Sequence, residues 1–291
     1  MNTLIIDKPQ THVTYKASKL YAAQQTIPIK LIDLLVITEN VAIDTKSIIH
    51  IANANVPILY LSNDNKHFAL TLPAIAKSGD LKALQYANLS QNLNIAKKLL
   101  YEKFMTHKAS LEHFELTLNI ENELTHLALA KSIDELMGVE GAFAKRYFGY
   151  YFSLFEKRLT KGFRSKNPPL DPINAMLSYL YTLSYHAITA KLYMRGFDPS
   201  LSYLHTPFRN HFALSSDLLE PLRANINRFV AELFLKQILH SEDFTCKNGV
   251  FLKNETRRQL WSHLKPFMQI INTQINTQII ILKRQLEKND L

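Results

Sequence analysis

Arginine is missing from the first half of this chain: all ten arginines lie at or beyond Arg146. Cysteine is nearly missing too. The single Cys246 excludes an internal disulfide framework and cannot by itself build a cysteine-based zinc site. There are seven glycines in 291 residues, 47% hydrophobic and 20% charged side chains. That composition excludes a disordered or low-complexity chain and leaves room for one large domain or two ordinary ones. No apolar run reaches the roughly 18 residues a membrane-spanning helix needs, so no membrane association is expected. The first eight residues lack the basic start and long apolar core of a signal peptide, so the cytosol is the expected compartment. Phosphate-loop (G-x-x-x-x-G-K), nucleophile-elbow (G-x-S-x-G) and zinc-hydrolase (H-E-x-x-H) patterns are all absent.

What is present is positive charge, unevenly spread. Residues 1–80 carry seven lysines and six acidic side chains, whereas residues 81–291 carry 27 basic and 19 acidic ones. Guanidinium groups suit bidentate phosphate contacts, and clustered positive charge is the footprint of a nucleic-acid binder. The signal is not specific, because many basic enzymes never touch DNA.

The pattern along the chain changes once. Short segments rich in Ile, Val, Leu and Thr predict strands at Thr3–Ile6, His12–Lys16, Leu31–Thr38, Val41–Ile43 and Pro57–Leu61. A short helix is expected over Thr45–Asn55, and asparagines and aspartates near 39–40 and 62–65 supply the breaks. Beyond residues 77–80, helical periodicity dominates, roughly over 81–107, 109–137, 140–162, 172–196, 215–240 and 255–287. Gly162, Pro168-Pro169, Gly196 with Pro199, Pro207 and Asn248-Gly249 punctuate it. The reading is an α+β chain: an N-terminal β-sandwich over 1–77, then a larger all-α domain over 78–291.

Four side chains stand out within the helical part. Glu140 interrupts an apolar stripe formed by Ile133, Met137, Ala144 and Tyr147, and Gly138 and Gly141 flank it. A buried carboxylate is costly unless paired or metal-bound, so Glu140 is an ion-pair residue, a ligand, or a helix-end residue facing water. Asp217 and Glu220 are three residues apart, which sets both on one helix face, where they repel unless a cation is near. Pro221 implies either a kink there or a helix that starts near Ser215-Ser216. A solvated helix start is the alternative use of the acidic pair. His205 lies in a loop or helix entry and has the capacity to bind metal, as has any histidine. Aromatics at 147–152 and at Tyr179, Tyr181, Tyr185 and Tyr193 suit either base stacking or helix packing, and their spacing favours packing.

Taken in order, these segments resemble the CRISPR-associated protein number one family. The resemblance is carried by Leu136-Met137-Gly138-Val139-Glu140-Gly141 with Tyr147-Phe148, and by Asn167-Pro168-Pro169-Leu170-Asp171-Pro172-Ile173-Asn174. Gly196-Phe197-Asp198-Pro199 with Leu204-His205, then Asp217-Leu218-Leu219-Glu220-Pro221-Leu222-Arg223, continue it. Ser202 departs from the family's usual glycine before its Leu-His pair, and Ala142-Phe143 replaces a basic or small residue.

The resemblance implies an N-terminal β-sandwich used for dimerisation, a helical catalytic domain and a homodimer. Such dimers assemble on CRISPR-associated protein number two and act on double-stranded DNA, both spacer precursor and CRISPR array. It further implies a metal-dependent endonuclease and integrase that joins 3′-hydroxyl ends of short duplexes to the array by transesterification. Carried over by motif position, Glu140, His205 and Glu220 are the expected metal ligands and Asp217 the supporting acid. Oxygen ligands plus one imidazole suit Mg2+ or Mn2+. Lys145, Arg146, Arg164, Lys166, Arg209, Arg223 and Arg228 are candidate DNA contacts on charge alone. Two other functions stay open: a non-catalytic DNA-binding assembly protein, and a stand-alone metal-dependent nuclease on structured DNA or RNA.

Overall fold

The computed structural model describes residues 2–22, 25–62, 67–74, 79–206 and 211–288. Arg209, Pro207, most of the expected break at 62–65 and the expected boundary at 77/78 lie outside them. Strands come first and helices follow, with one late hairpin. The strands are β1 (Asn2–Ile6), β2 (His12–Lys16), β3 (Lys19–Ala22), β4 (Gln25–Pro28), β5 (Ile32–Ile37), β6 (Ala42–Ile43), β7 (Ile58–Leu61) and β8 (Phe68–Thr71). They form two four-stranded sheets, ordered β1-β5-β7-β8 and β4-β3-β2-β6. β1, β5 and β7 run parallel, and the helix α1 (Thr45–Asn53) lies in the connection between β5 and β7. Such a crossover is what a parallel pair requires.

Strand alternation explains how the two halves join. Leu35 and Ile37 of β5 enter a core shared with Val13, Leu20 and Ile51 from the second sheet and α1. Leu34 and Val36, pointing the other way, enter the core of the helical part. The first sheet is therefore buried on both faces, which accounts for the apolar run over residues 34–37 in β5.

The helical part contains α2 (Gly79–Ala87), α3 (Asn92–Glu112), α4 (Glu121–Leu129), α5 (Ile133–Phe152), α6 (Pro172–Arg195), α7 (Ala213–Leu219), α8 (Arg223–Leu235), α9 (Asn254–Gln259) and α10 (Trp261–Lys288). Their ends follow local chemistry. Asp171 caps α6 by accepting from the Asn174 N–H at 2.7 Å, with Pro172 in the first turn, and Gly196 ends it at φ 88°. Ser132 caps α5, while Glu135 reaches back to the Lys131 N–H at 2.7 Å.

Several expected boundaries move. The helices expected at 109–137 and 140–162 are instead α4 and α5, so Glu140 sits in mid-helix rather than at a helix start. A β carbon at Gly138 or Gly141 would meet nothing within 4 Å, so neither glycine marks a close approach. The helix expected over 215–240 is α7 and α8 joined by a 3-10 turn at Glu220–Leu222, where Pro221 cannot donate. An unexpected hairpin, β9 (Phe244–Cys246) with β10 (Val250–Leu252), packs on α6. Gly249 in its turn has φ 137°, and a β carbon there would stand 2.6 Å from Pro168.

Candidate active site

Helix α3 buries Leu99, Leu100, Phe104, His107 and Leu111 along one stripe, and Lys103 lies within it. α5 packs against that stripe, with Phe104 and Phe143 ring centroids 4.2 Å apart and His107 and Tyr147 4.5 Å apart. One turn back on each helix, Lys103 meets Glu140. The Lys103 ammonium pairs with Glu140 Oε1 and, at 2.6 Å, with Glu220 Oε2. Lys103 had no place among the expected site residues. A lysine spaced by threes and fours within an otherwise apolar helix stripe was the signal for it.

Glu220 reaches this point because the 3-10 turn lies against α3, where Thr106 Oγ1 donates to the Pro221 carbonyl at 3.2 Å. Arg223 Nε donates to Glu220 Oε1 at 3.0 Å, and its guanidinium lies over the Tyr181 ring, 4.5 Å from the centroid. His205 Nε2 is 3.8 Å from the same Glu220 oxygen.

Asp217 does a different job from the shared one its spacing suggested. Fully buried, it accepts from the backbone N–H groups of Tyr203 (2.7 Å), Leu204 (3.0 Å) and His205 (3.0 Å), and contacts His205 Nδ1 at 2.7 Å. Its charge is answered by those donors and needs no shared cation. The same bonds fold the loop so that His205 Nε2 faces Glu220. With Nδ1 held against a carboxylate, Nε2 is the ring atom left for a ligand when the imidazole is neutral.

The electrostatics follow from these pairs. Burial alone would push the Glu220 carboxyl up, but Arg223, Lys103 and His205 outweigh it and hold it well below the usual carboxylate range. Burial likewise opposes the Lys103 charge, and Glu220 and Glu140 hold its pKa above the ordinary lysine value. For His205, burial is overcome by the Asp217 hydrogen bond and by the charges of Asp217 and Glu220, so its pKa is raised. For His107, one turn beyond Lys103, burial and the neighbouring ammonium outweigh its bond to the Lys103 carbonyl and the pull of Glu220, and its pKa is pushed down to about 3.

This cluster forms the floor of a cleft of about 730 Å³. Lys145, Arg164, Lys166 and Arg223 line it together with Phe148, Phe163 and Tyr181. Burial first, then the charges of Arg223 and Arg164, lower the Lys166 pKa, against the opposing pull of Glu220 and Glu140. Arg164 is held in place by Asn174 Oδ1 at 2.9 Å and Ser178 Oγ at 3.1 Å. Arg146 and Arg228 are placed elsewhere. Arg146 pairs with Glu123 and donates to the Asn119 carbonyl at 2.9 Å, and Arg228 stands 3.9 Å from Glu232 on α8. Tyr147 and Tyr151 are fully buried and tied to Asn227, so both pack in the helical core, Tyr147 beneath the cleft wall.

The donor set fits a divalent cation. Two carboxylates and an oriented imidazole converge on one region, and an ammonium stands in for positive charge there. Among the described residues, no three His, Cys, Asp or Glu side chains close on a single point as a metal site. Nor is any described helix long and apolar enough to cross a membrane.

Comparison with known proteins bears on the whole chain. The family model described as CRISPR associated protein Cas1 matches residues 4–265. The CRISPR-associated endonuclease Cas1 1 of Thermodesulfovibrio yellowstonii is 29% identical over 100% of this chain and 99% of its own length. A CRISPR-associated endonuclease Cas1 of Clostridium perfringens is 32% identical, over 61% of this chain and 57% of its own. Among solved structures, a CAS1 protein from Thermotoga maritima superposes with TM-score 0.87 at 18% identity, covering 98% of this chain and 97% of its own. A casposase bound to integration product gives 0.77 at 24% identity, covering 96% and 82%.

Proposed function

The chain belongs to the CRISPR associated protein Cas1 family, and from that premise we propose that it is a divalent-metal-dependent DNA endonuclease and integrase of CRISPR adaptation. The observation that carries this reading is the convergence of half-buried Glu140 and His205 on buried Glu220 at the floor of a cationic cleft. Glu140, Glu220 and His205 Nε2 would hold the metal, and Asp217 would fix the histidine. Bound there, Mg2+ or Mn2+ supplies Lewis acidity toward a phosphodiester oxygen and offsets charge in the transition state.

The chain's own residues do the rest. Lys145, Lys166 and Arg223 receive the DNA backbone, and the immobilised Arg164 shapes the wall. The low-dielectric floor strengthens every charge that faces a developing oxyanion. In strand joining, the 3′-oxygen of the incoming fragment forms a new bond to phosphorus as the bond to the array strand's 3′-oxygen breaks. The attacking hydroxyl gives up its proton to solvent, and the displaced oxygen takes one. Water as the attacking group turns the same step into cleavage.

The partners proposed are a second copy of the chain, double-stranded DNA and Cas2. Two pieces of support are a Cas6-RT-Cas1–Cas2 complex at TM-score 0.78 and 16% identity and a TtCas1-DNA complex at 0.56 and 13%. In the first, this chain covers 35% of the matched chain.

The test incubates a short duplex bearing 3′-hydroxyl ends with a supercoiled array plasmid, with and without Mn2+ and Cas2. Covalent fragment–plasmid product should need the metal and vanish in Glu140→Ala, whose DNA binding stays near wild type. Binding without joining or cleavage under every metal tried would leave an assembly protein instead.

A further inference from the structure

The proposed ligands are not waiting empty-handed: an ammonium from α3 already bridges two of them. Lys103 pairs with Glu140 Oε1 and Glu220 Oε2, and its side chain is only 5% exposed. Two carboxylates, Glu140 and Glu220, share the Lys103 ammonium, and Arg223 pairs with Glu220. The two cations differ in reach. Arg223 is fixed by its bond to Glu220 and its stack on Tyr181. Lys103 carries a flexible four-carbon stem with a compact charge, and it lines the cleft.

Resting on the metal-binding reading above, we infer that Lys103 is a built-in competitor for the metal seat. Its ammonium holds Glu140 and Glu220 together in the metal-free protein and must leave for the cation to enter. The bridge answers a physical need, because two buried carboxylates without a cation repel each other and lack solvent. It also carries a consequence: metal affinity is reduced by the fraction of molecules whose seat the ammonium fills. On leaving, the ammonium moves into the cleft, where a DNA phosphate would meet it. The same charge thus serves the empty site and then the loaded one.

Two experiments test this, the first on a variant and the second on wild type. Calorimetric titration with Mn2+ alone should show Lys103→Met binding tighter than wild type by about tenfold or more. The metal-free variant should melt lower than wild type by about 5 °C or more, and saturating Mn2+ should close that gap. Equal or weaker Mn2+ binding by a folded Lys103→Met would overturn the inference.

The second measurement uses wild type and so survives a variant that fails to fold. Acetylation by a lysine-reactive ester, read at Lys103 by mass spectrometry, should be slow without metal and several-fold faster with Mn2+. No change in that rate would overturn displacement. If neither protein binds Mn2+ at all, the metal-site reading itself fails. If wild type binds and the variant binds no tighter, only the role of Lys103 fails.

Discussion

Two buried acids of the helical part, Glu123 and Glu220, each meet a basic side chain, yet their surroundings make them different objects. Glu123 on α4 pairs with Arg146 on α5, whose side chain is 44% exposed. That is a closed one-to-one pair at the rim, and its guanidinium is also bound to the Asn119 carbonyl. Glu220 shares its ammonium with a second carboxylate, takes a guanidinium as well, faces an imidazole and borders a cleft. Burial of an acid is common to both and therefore uninformative. What distinguishes the second is a surplus of carboxylate around a movable cation, next to a space that a ligand fits.

The contrast is sharpest when the same conservative change is made at both. Glu220→Gln keeps the side chain's shape and removes its charge, so strand joining should fall by about a hundredfold to a thousandfold. A joining rate within threefold of wild type, measured at saturating DNA, would take Glu220 out of the chemistry.

A third buried ionisable group has no charged partner among the described residues, and its response runs through pH. His186 on α6 lies tilted against Phe68 at 4.1 Å between centroids, and its Nδ1 has no hydrogen-bond partner among the described residues. Burial alone pushes its pKa down to about 4 from the ordinary 6.5. Between those values the unfolded chain binds the proton and the folded one does not. Stability from this source is therefore complete above pH 6.5 and lost as pH falls toward 4. The loss is about 3 kcal/mol. His186→Phe keeps a ring against Phe68 and should flatten that part of the unfolding free energy measured from pH 7 to 4. An unchanged slope would place the acid sensitivity elsewhere, with His107 the next group to replace.

The sequence made the outline readable because strand alternation and helix periodicity are local signals. The strands at residues 3–6, 12–16 and 58–61 follow from β-branched runs, and α6 follows from Asp171, Pro172 and Gly196 at its ends. β4 was not legible, since Pro28 lies in it and only an edge position tolerates that. Glu140, His205 and Glu220 stood out through motif order, and the structure brings them to one floor. Asp217 looked like half of a repelling pair because spacing cannot show three N–H groups folding back from residues 203–205. Lys103 is 37 residues from Glu140 and 117 from Glu220, so only the packing of α3 on α5 and on the 3-10 turn reveals what it touches. Arg146 and Arg164 were equivalent as charges, and their hydrogen-bond partners alone separate rim from cleft.

The smallest effect belongs to the rim pair, and it is the control that gives the larger one meaning. Glu123→Gln leaves an amide oxygen for Arg146, whose charge is already half in water. An ion pair with one exposed partner contributes little, so the melting free energy should change by under about 1 kcal/mol. Joining should stay at the wild-type rate, because neither residue lines the cleft described here. Intact joining in Glu123→Gln beside its loss in Glu220→Gln would show that the surplus of carboxylate, rather than burial of an acid, marks the working site. Joining lost in both would mean that Arg146 must be held by Glu123 for DNA to bind, and that the cationic surface extends from the cleft around α5 to the rim.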